Sequence, residues 1–316
     1  MGRPTTMTST DRAAAPVHPR AHPPGGKRTS WRPPIDRALT TVLVGLIAAS
    51  IIVPVLWVLT ASLKEQSEFY GSPWVLPQGL HLQNYVDAFI TARMGQYFLN
   101  SVLVTALALL LVLVVSVPAA YALARFDFPG RGIVQTGLLA GLFINVNYIV
   151  VAIFLLLIGW DRLLIDIAPD GLFIDNRAVL ALVYAATTIP FTVYLLSSYM
   201  STIPVEYEEA ATLDGASRLR TMTRVILPMA RPGLTTVVLF NFLTYWNDFI
   251  LALTLLPGEN RTLQVGLLNL MTAQRAAADY GRLYAGMVIV IVPVLVFYAV
   301  IQKRLIEGIA SEGMKG

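Results

Sequence analysis

The chain contains no cysteine and only three histidines, His18, His22 and His81, in 316 residues. Without cysteine it can form no disulfide, no thiolate metal site and no cysteine nucleophile. None of the histidines lies in a long apolar run, so no metalloprotease or Ser–His hydrolase site is supported within a bilayer. No G-x-x-x-x-G-K-[ST] sequence occurs, which excludes P-loop binding of ATP. We predict that this chain has no catalytic residue, no metal site and no cofactor.

Charged residues are also scarce, at 13% of the chain against 56% hydrophobic residues, and the mean hydropathy is +0.65. A soluble domain is far less apolar. A helix that crosses a bilayer needs roughly 20 apolar residues. Runs of about this length or longer cover 38–62, 98–124, 132–159, 178–200, 232–257 and 283–302. The composition predicts an all-α polytopic membrane protein with six transmembrane helices in one domain, 38–316, embedded in a lipid bilayer.

The basic residues are distributed unevenly about these six runs. Residues 1–37 are rich in Pro, Arg, Thr and Ala without apolar periodicity, which predicts a disordered tail. Most of the 23 lysines and arginines fall on the side of this tail. By the positive-inside rule we expect both termini of this multi-pass membrane protein to be cytoplasmic. The net charge of +4 reflects this bias, so no nucleic-acid partner is predicted.

A long hydrophilic segment, 201–231, separates the fourth and fifth apolar runs and has to contact something in water. Its acidic residues begin at Glu206, where the dipole of a helix N-terminus stabilises negative charge. Gly215 follows this predicted helix at the position of a left-handed C-cap, and Ser217 can cap a second helix. Pro228 then helps to end the second helix. The segment predicts a short helix–turn–helix on the cytoplasmic side.

The small residues Ala210 and Ala211 leave a flat face on the first of these helices, on which a partner can pack closely. The sequence Glu209-Ala210-Ala211 is followed after three residues by Gly215, and after nine more by Val225-Ile226-Leu227-Pro228. This spacing resembles the "EAA" loop of bacterial ATP-binding-cassette (ABC) importer permeases, with valine at position 225 where isoleucine is usual.

In that family the loop is gripped by a cytoplasmic ATPase. The resemblance implies a coupling role for Glu206, Glu209, Ala210, Ala211, Asp214, Gly215 and Pro228. The competing interpretation is a solvated, salt-bridged connector without a partner.

Further motifs narrow the resemblance to carbohydrate-type permeases with the type I importer fold. They are Phe98–Ser101, Tyr121–Phe126 followed by Phe128 and Gly130, Trp246–Phe249, and the chain end from Gln302 to Gly316. The last of these is similar to the tail of the maltose-G-like subunit. The resemblance implies a second, homologous permease subunit, a dimer of ATP-binding subunits, an extracytoplasmic solute-binding protein and a sugar substrate as partners.

The chain departs from that pattern in two places. Many relatives carry prolines in the third span, whereas 132–159 has none, and the outer loop after Trp160 is longer than expected. Both differences lie where a sugar or its binding protein would touch. The substrate is expected to be a mono- or oligosaccharide, and a resemblance to permeases for N-acetylglucosamine or chitobiose favours an amino sugar.

Polar residues within the spans are few, and Asp248 is the only carboxylate among them. Asn241, Tyr245 and Asp248 recur at spacings of four and three, which places them on one helix face, directed into the bundle. The candidate sugar path is formed by Asn145, Tyr148, Tyr184, Thr188, Asn241, Tyr245, Asn247 and Asp248. Amide and carboxylate groups suit sugar hydroxyls, and aromatic faces suit sugar rings. The alternative is that these side chains only hold helices together.

Two classes of transporter fit these observations. One is the permease subunit of an ATP-driven importer, and the other is an ion-coupled secondary transporter in which Asp248 carries the coupling charge. A secondary carrier has no need of a docking helix with the spacing found around Glu209, and the internal repeat that many carriers show is not apparent. A membrane scaffold without transport activity is a more distant third.

Overall fold

The computed structural model describes residues 34–70, 74–169, 171–277 and 279–313. Within these ranges the chain forms helices and connecting segments but no β-strand, which confirms the all-α prediction. The main helices are α1 (Pro34–Ala61), α2 (Met94–Arg125), α3 (Arg131–Leu142), α4 (Val146–Leu163), α5 (Arg177–Ser201), α6 (Glu206–Leu213), α7 (Arg218–Met229), α8 (Arg231–Asn247), α9 (Ile250–Leu255), α10 (Leu263–Ala277) and α11 (Tyr280–Gly313).

Five of the described helices are long and apolar enough to cross a membrane, namely α1, α2, α4, α5 and α11. A sixth span involves α8, which is preceded by α7 at a bend of 78°. The bend lies at Ala230, whose ψ of 7° departs from helical geometry. Helix α8 alone has 17 residues, fewer than the roughly 20 that cross a bilayer. The short helix α9 extends it after an interruption at Asp248 and Phe249.

The third predicted span, 132–159, is not one continuous helix. It consists of α3 and α4, separated at Phe143–Asn145. Asn145 begins α4, and its side-chain oxygen accepts a hydrogen bond of 3.0 Å from the backbone N–H of Asn147. An asparagine side chain that bonds to the nearby backbone competes with the helical hydrogen bonds, and this favours a new helix start at that point.

The fifth predicted span, 232–257, is interrupted in the same way at Asp248. At the N-terminus, α1 begins at Pro34, four residues inside the predicted tail of 1–37. Proline is well suited to a first helical turn because its missing N–H has no partner there in any helix. The rest of the predicted tail, residues 1–33, lies outside the described residues.

The chain divides into two compact units, Met1–Ile52 and Val53–Gly316. The described part of the first unit is the beginning of α1, whose large apolar side chains are exposed, such as Leu46 and Ile51. The core of the second unit is formed where α2 packs against α5. Small residues recur along the buried face of α2, at Ser101, Thr105, Ala108, Ser116 and Ala120. Small side chains let two membrane helices approach closely.

Candidate functional site

The predicted turn of the hydrophilic segment is present. Gly215 has a φ of 78°, in the left-handed region. Its N–H bonds to Thr212 O at 3.0 Å, and the next N–H, that of Ala216, bonds to Ala211 O at 2.9 Å. These two hydrogen bonds form a Schellman motif at the end of α6. A β-carbon at position 215 would meet no atom within 4 Å, so the requirement for glycine comes from the backbone conformation alone.

The second helix of the segment also begins where the sequence predicts. The Ser217 side chain accepts a hydrogen bond from Arg220 N at 3.4 Å and caps α7. Helix α7 passes through a π-helical turn, Met222–Ile226, and ends one residue after Pro228. Ile226 is fully buried in a cluster with Leu196 of α5. The second helix is therefore anchored in the apolar core.

The side chains assigned to ATPase coupling do not all lie on one face. The exposed members of the set are Glu206, Glu209, Ala210, Asp214 and Gly215, whereas Pro228 is half-buried. Ala211 is 9% exposed and faces inward, whereas Ala210 is exposed, so the two alanines do not form one open face in this structure. Adjacent residues on a helix point about 100° apart, and only one of the two can face a partner squarely.

A further acidic residue, Glu208, has contacts that the sequence did not indicate. Its Oε1 lies 2.5 Å from Nε of Arg125 at the end of α2, and its Oε2 accepts a hydrogen bond of 2.9 Å from Tyr121 Oη. The Arg125 side chain also donates to Ile203 O at 2.6 Å. The only sequence signal for this site is the four-residue spacing of Tyr121 and Arg125, which places both on one face at the C-terminal end of α2.

Within the membrane region, three polar pairs join α5 to α8. Tyr184 Oη donates to Asp248 Oδ2 at 2.7 Å, and the Thr188 and Tyr245 hydroxyls form a short hydrogen bond. Asn241 Nδ2 donates to Thr192 Oγ1 at 2.9 Å. The two helices pair in antiparallel register, because the partners of positions 184, 188 and 192 in α5 are, in that order, position 248 just after α8 and positions 245 and 241 within it. The predicted sugar path does not include Thr192, although Thr192 continues the four-residue spacing of Tyr184 and Thr188 along α5.

We call these three pairs between α5 and α8 the polar stripe. Two observations define what it can do. The Tyr184 and Tyr245 rings stack with centroids 5.2 Å apart, so each covers a face of the other. Asp248 also accepts a hydrogen bond of 3.0 Å from Ala252 N in α9. The carboxylate thus connects α5, α8 and α9 across the interruption in the fifth span. The stripe faces into the bundle, as predicted, and its contacts are those of a group that holds helices together.

A cavity of about 310 Å³ lies beside the stripe, between α3, α5 and α8. Hydroxyl and amide groups from Thr187, Thr188, Asn241 and Thr244 line it together with aromatic rings and the break at Ile144. Irregular backbone at membrane depth occurs only where protein covers it or where it borders a water-filled cavity. The cavity therefore combines hydrogen-bonding groups with apolar groups.

Three residues of the predicted path lie apart from the stripe. Asn145 is exposed and caps α4, and Tyr148 is 85% exposed on the same helix. Asn247 is exposed and donates to Leu243 O of its own helix at 2.8 Å. The structure therefore brings together five of the eight path residues, Tyr184, Thr188, Asn241, Tyr245 and Asp248.

Comparisons with known proteins agree with this architecture. Residues 116–309 match the family described as binding-protein-dependent transport system inner membrane component. The diacetylchitobiose uptake system permease protein NgcG of Streptomyces coelicolor is 39% identical over 277 residues, covering 87% of this chain and 88% of that protein. The trehalose transport system permease protein SugB of Mycobacterium tuberculosis is 30% identical, covering 87% and 96%.

One solved structure shares the fold at lower identity. It is a bacterial ABC transporter involved in the import of the acidic polysaccharide alginate. One of its chains matches 85% of this chain and 96% of its own length, with a TM-score of 0.69 and 23% identity. This likeness establishes the type I importer permease fold.

Proposed function

The chain belongs to the family of binding-protein-dependent transport system inner membrane components, and from this membership we propose that it is the membrane-spanning permease of an ATP-driven sugar importer. The observation that carries the proposal is the helix–turn–helix at Glu206–Met229, with Glu209 and Ala210 exposed beside the Gly215 turn. The chain has no P-loop of its own, so in an ATP-driven importer its energy has to arrive through contact with another subunit. The chain itself carries out no catalysis.

The substrate we propose is a mono- or oligosaccharide of the amino-sugar type, such as N-acetylglucosamine or chitobiose. The support comes from a relative that takes up diacetylchitobiose and from another that transports trehalose. Neutral sugars of this kind need hydroxyl and amide partners rather than a basic pocket. The cavity beside Thr188 and Asn241 offers such groups.

The partners we propose are a second, homologous permease, a dimer of cytoplasmic ATP-binding subunits and an extracytoplasmic solute-binding protein. The family description supports the binding protein, since it names transport systems that depend on one. ATP binding closes the ATPase dimer, and the docking helices convert that closure into opening of the sugar path towards the outside. Hydrolysis then resets the path towards the cytoplasm.

The test of this function is sugar uptake into proteoliposomes that contain the chain with its partner permease and ATPase. Uptake is expected only when ATP and the binding protein are both supplied. Glu209→Lys, which reverses an exposed charge on α6, is expected to reach the membrane normally but to co-purify poorly with the ATPase. Uptake without any ATPase, driven by an ion gradient, would replace this function with that of a secondary transporter.

The orientation of the chain gives a further prediction. The bias of the basic residues places Thr5 and Gly313 in the cytoplasm and Pro169 and Gly258 outside. Because the chain has no cysteine, a single cysteine introduced at each position is labelled without background. An impermeant thiol reagent added to intact cells should label positions 169 and 258 but neither of the other two. Labelling of position 169 only from the cytoplasmic side would exclude the six-span arrangement.

A further inference from the structure

The cytoplasmic end of α2 contacts both α6 and α7, the two helices of the hydrophilic segment 201–231, which we call the docking segment. The residues involved, which we call the Arg125 cluster, are Tyr121, Arg125, Phe126, Glu208 and Arg218. Glu208 belongs to α6, and Arg218 begins α7. The Arg218 guanidinium carbon lies 4.9 Å from the centre of the Phe126 ring, and the Phe126 ring packs edge-to-face on Tyr121 at 5.5 Å.

Helix α6 packs on α7 and buries little of its own surface. Within this fully described helix Ala211 is the one buried residue. Helix α7 differs, since Ile226 is fully buried and its neighbours pack in the apolar core. The helix that presents Glu209 is therefore attached to the membrane part in two ways, through its packing on α7 and through the polar contacts of Glu208 to α2.

The contacts of Arg125 can attach α6 stiffly to the end of α2. The side chains of Arg125 and Glu208 are 10% and 14% exposed, so solvent and salt screen their attraction less than at an open surface. Arg125 also holds Ile203 O, which lies in the connection just before α6. A single guanidinium group thus fixes both the start of the docking segment and the helix that follows.

Helix α2 continues from this cluster into the core of the second unit. Ala120 packs with Leu196 of α5 in one buried cluster, and Val104 packs with Tyr184 and Tyr245 in another. A displacement of the cytoplasmic end of α2 therefore acts directly on the helices that carry the polar stripe.

We propose that the Arg125 cluster transmits displacement of α6 to α2, and that Glu208, Arg125 and Tyr121 are positioning residues for coupling. The proposal rests on the function proposed above. It separates two roles on α6, since Glu209 contacts the ATPase while Glu208, its neighbour, faces the membrane part. It also accounts for the Tyr121–Phe126 motif, to which the sequence assigned no task.

The test compares sugar transport with ATP hydrolysis in the reconstituted importer. Glu208→Gln removes the charge that pairs with Arg125, and Tyr121→Phe removes only the hydrogen bond to Glu208. In Glu208→Gln, the number of sugar molecules transported per ATP hydrolysed is expected to fall about fivefold or more, which is the low end of the typical range for coupling between two sites. ATPase co-purification should stay normal, and Tyr121→Phe should give a smaller loss of the same kind.

The matched control is Asp127→Asn, which neutralises a 94% exposed carboxylate paired with Arg131 in the neighbouring cytoplasmic turn. An exposed pair contributes little, so the transport ratio of this variant should equal that of the unmodified importer. If Glu208→Gln and Tyr121→Phe both transport as many sugar molecules per ATP as the unmodified importer does, the proposal is overturned. Loss of the ATPase from the Glu208→Gln complex would also overturn it, because Glu208 would then belong to the docking face.

Two further outcomes can be told apart from a failure of this proposal. If Glu208→Gln does not accumulate in the membrane, Tyr121→Phe decides, since it leaves the ion pair in place. If the unmodified importer shows no ATP-dependent uptake, the proposed function fails before any variant is compared.

Discussion

Gly215→Val is expected to weaken ATPase docking about tenfold or more while leaving the spans intact. Gly215 has a φ of 78° at the end of α6. A residue with a β-carbon adopts this conformation at a cost of roughly 1–2 kcal/mol, and more when it is branched. A cost of about 1.4 kcal/mol reduces the population of the native turn about tenfold. Co-purification of the ATPase and sugar uptake should fall to a corresponding or greater extent.

Two companion variants separate the turn from general damage. Gly130 has a φ of 88° in the turn before α3, and a β-carbon there would meet no atom within 4 Å, so Gly130→Val imposes the same backbone strain elsewhere. We expect it to retain the ATPase. Gly215→Asn should recover most of the docking, because asparagine tolerates the left-handed region. Normal uptake in Gly215→Val would show that this segment is only a connector.

Asp248→Leu is expected to reduce sugar transport severely in a complex that still binds ATP. The substitution leaves Tyr184 Oη and the Ala252 N–H without their acceptor in the interior of the bundle. An unsatisfied buried donor costs about 1–3 kcal/mol. The register of α5, α8 and α9 around the cavity should be lost as a result. Uptake and nucleotide binding by the reconstituted importer measure the two expectations separately.

A double variant decides between a structural and a transport role for Asp248. Removing both partners of a buried hydrogen bond can be nearly neutral, whereas removing one is costly. If Asp248 only holds helices together, Tyr184→Phe combined with Asp248→Leu should recover a large part of the uptake. If Asp248 contacts the sugar, the double variant should stay as inactive as the single one. Thr254→Val, which alters an exposed hydroxyl bonded within α9, is the control for the region.

The same carboxylate allows a direct test of the alternative class of transporter. In an ion-coupled carrier, Asp248 would bind and release the coupling ion, and uptake would collapse when an uncoupler is added at constant ATP. In the ATP-driven importer we expect uptake to survive the uncoupler and to stop when ATP is withdrawn. Collapse of uptake on addition of an uncoupler at constant ATP would contradict the proposed ATP-driven importer.

The features determined by the sequence alone are those that depend on neighbours along the chain. Span length and hydropathy follow from local composition, and four of the six predicted spans coincide with single long apolar helices, whereas the third and the fifth are interrupted. The Gly215 turn and the Ser217 cap were predictable because a C-cap and an N-cap are decided within a few residues. The inward direction of the stripe containing Asn241 and Tyr245 follows from helical periodicity in the same way.

Only the tertiary structure decided which side chains meet. The pairing of Asp248 with Tyr184 depends on the antiparallel register of α5 and α8, which no spacing within one helix specifies. Glu208 and Glu209 are adjacent acidic residues, yet only the packing of α6 against α2 turns the first one towards Arg125. Which of two equally polar neighbours is buried depends on the rotation of a helix about its axis, and contacts far apart in the sequence set that rotation.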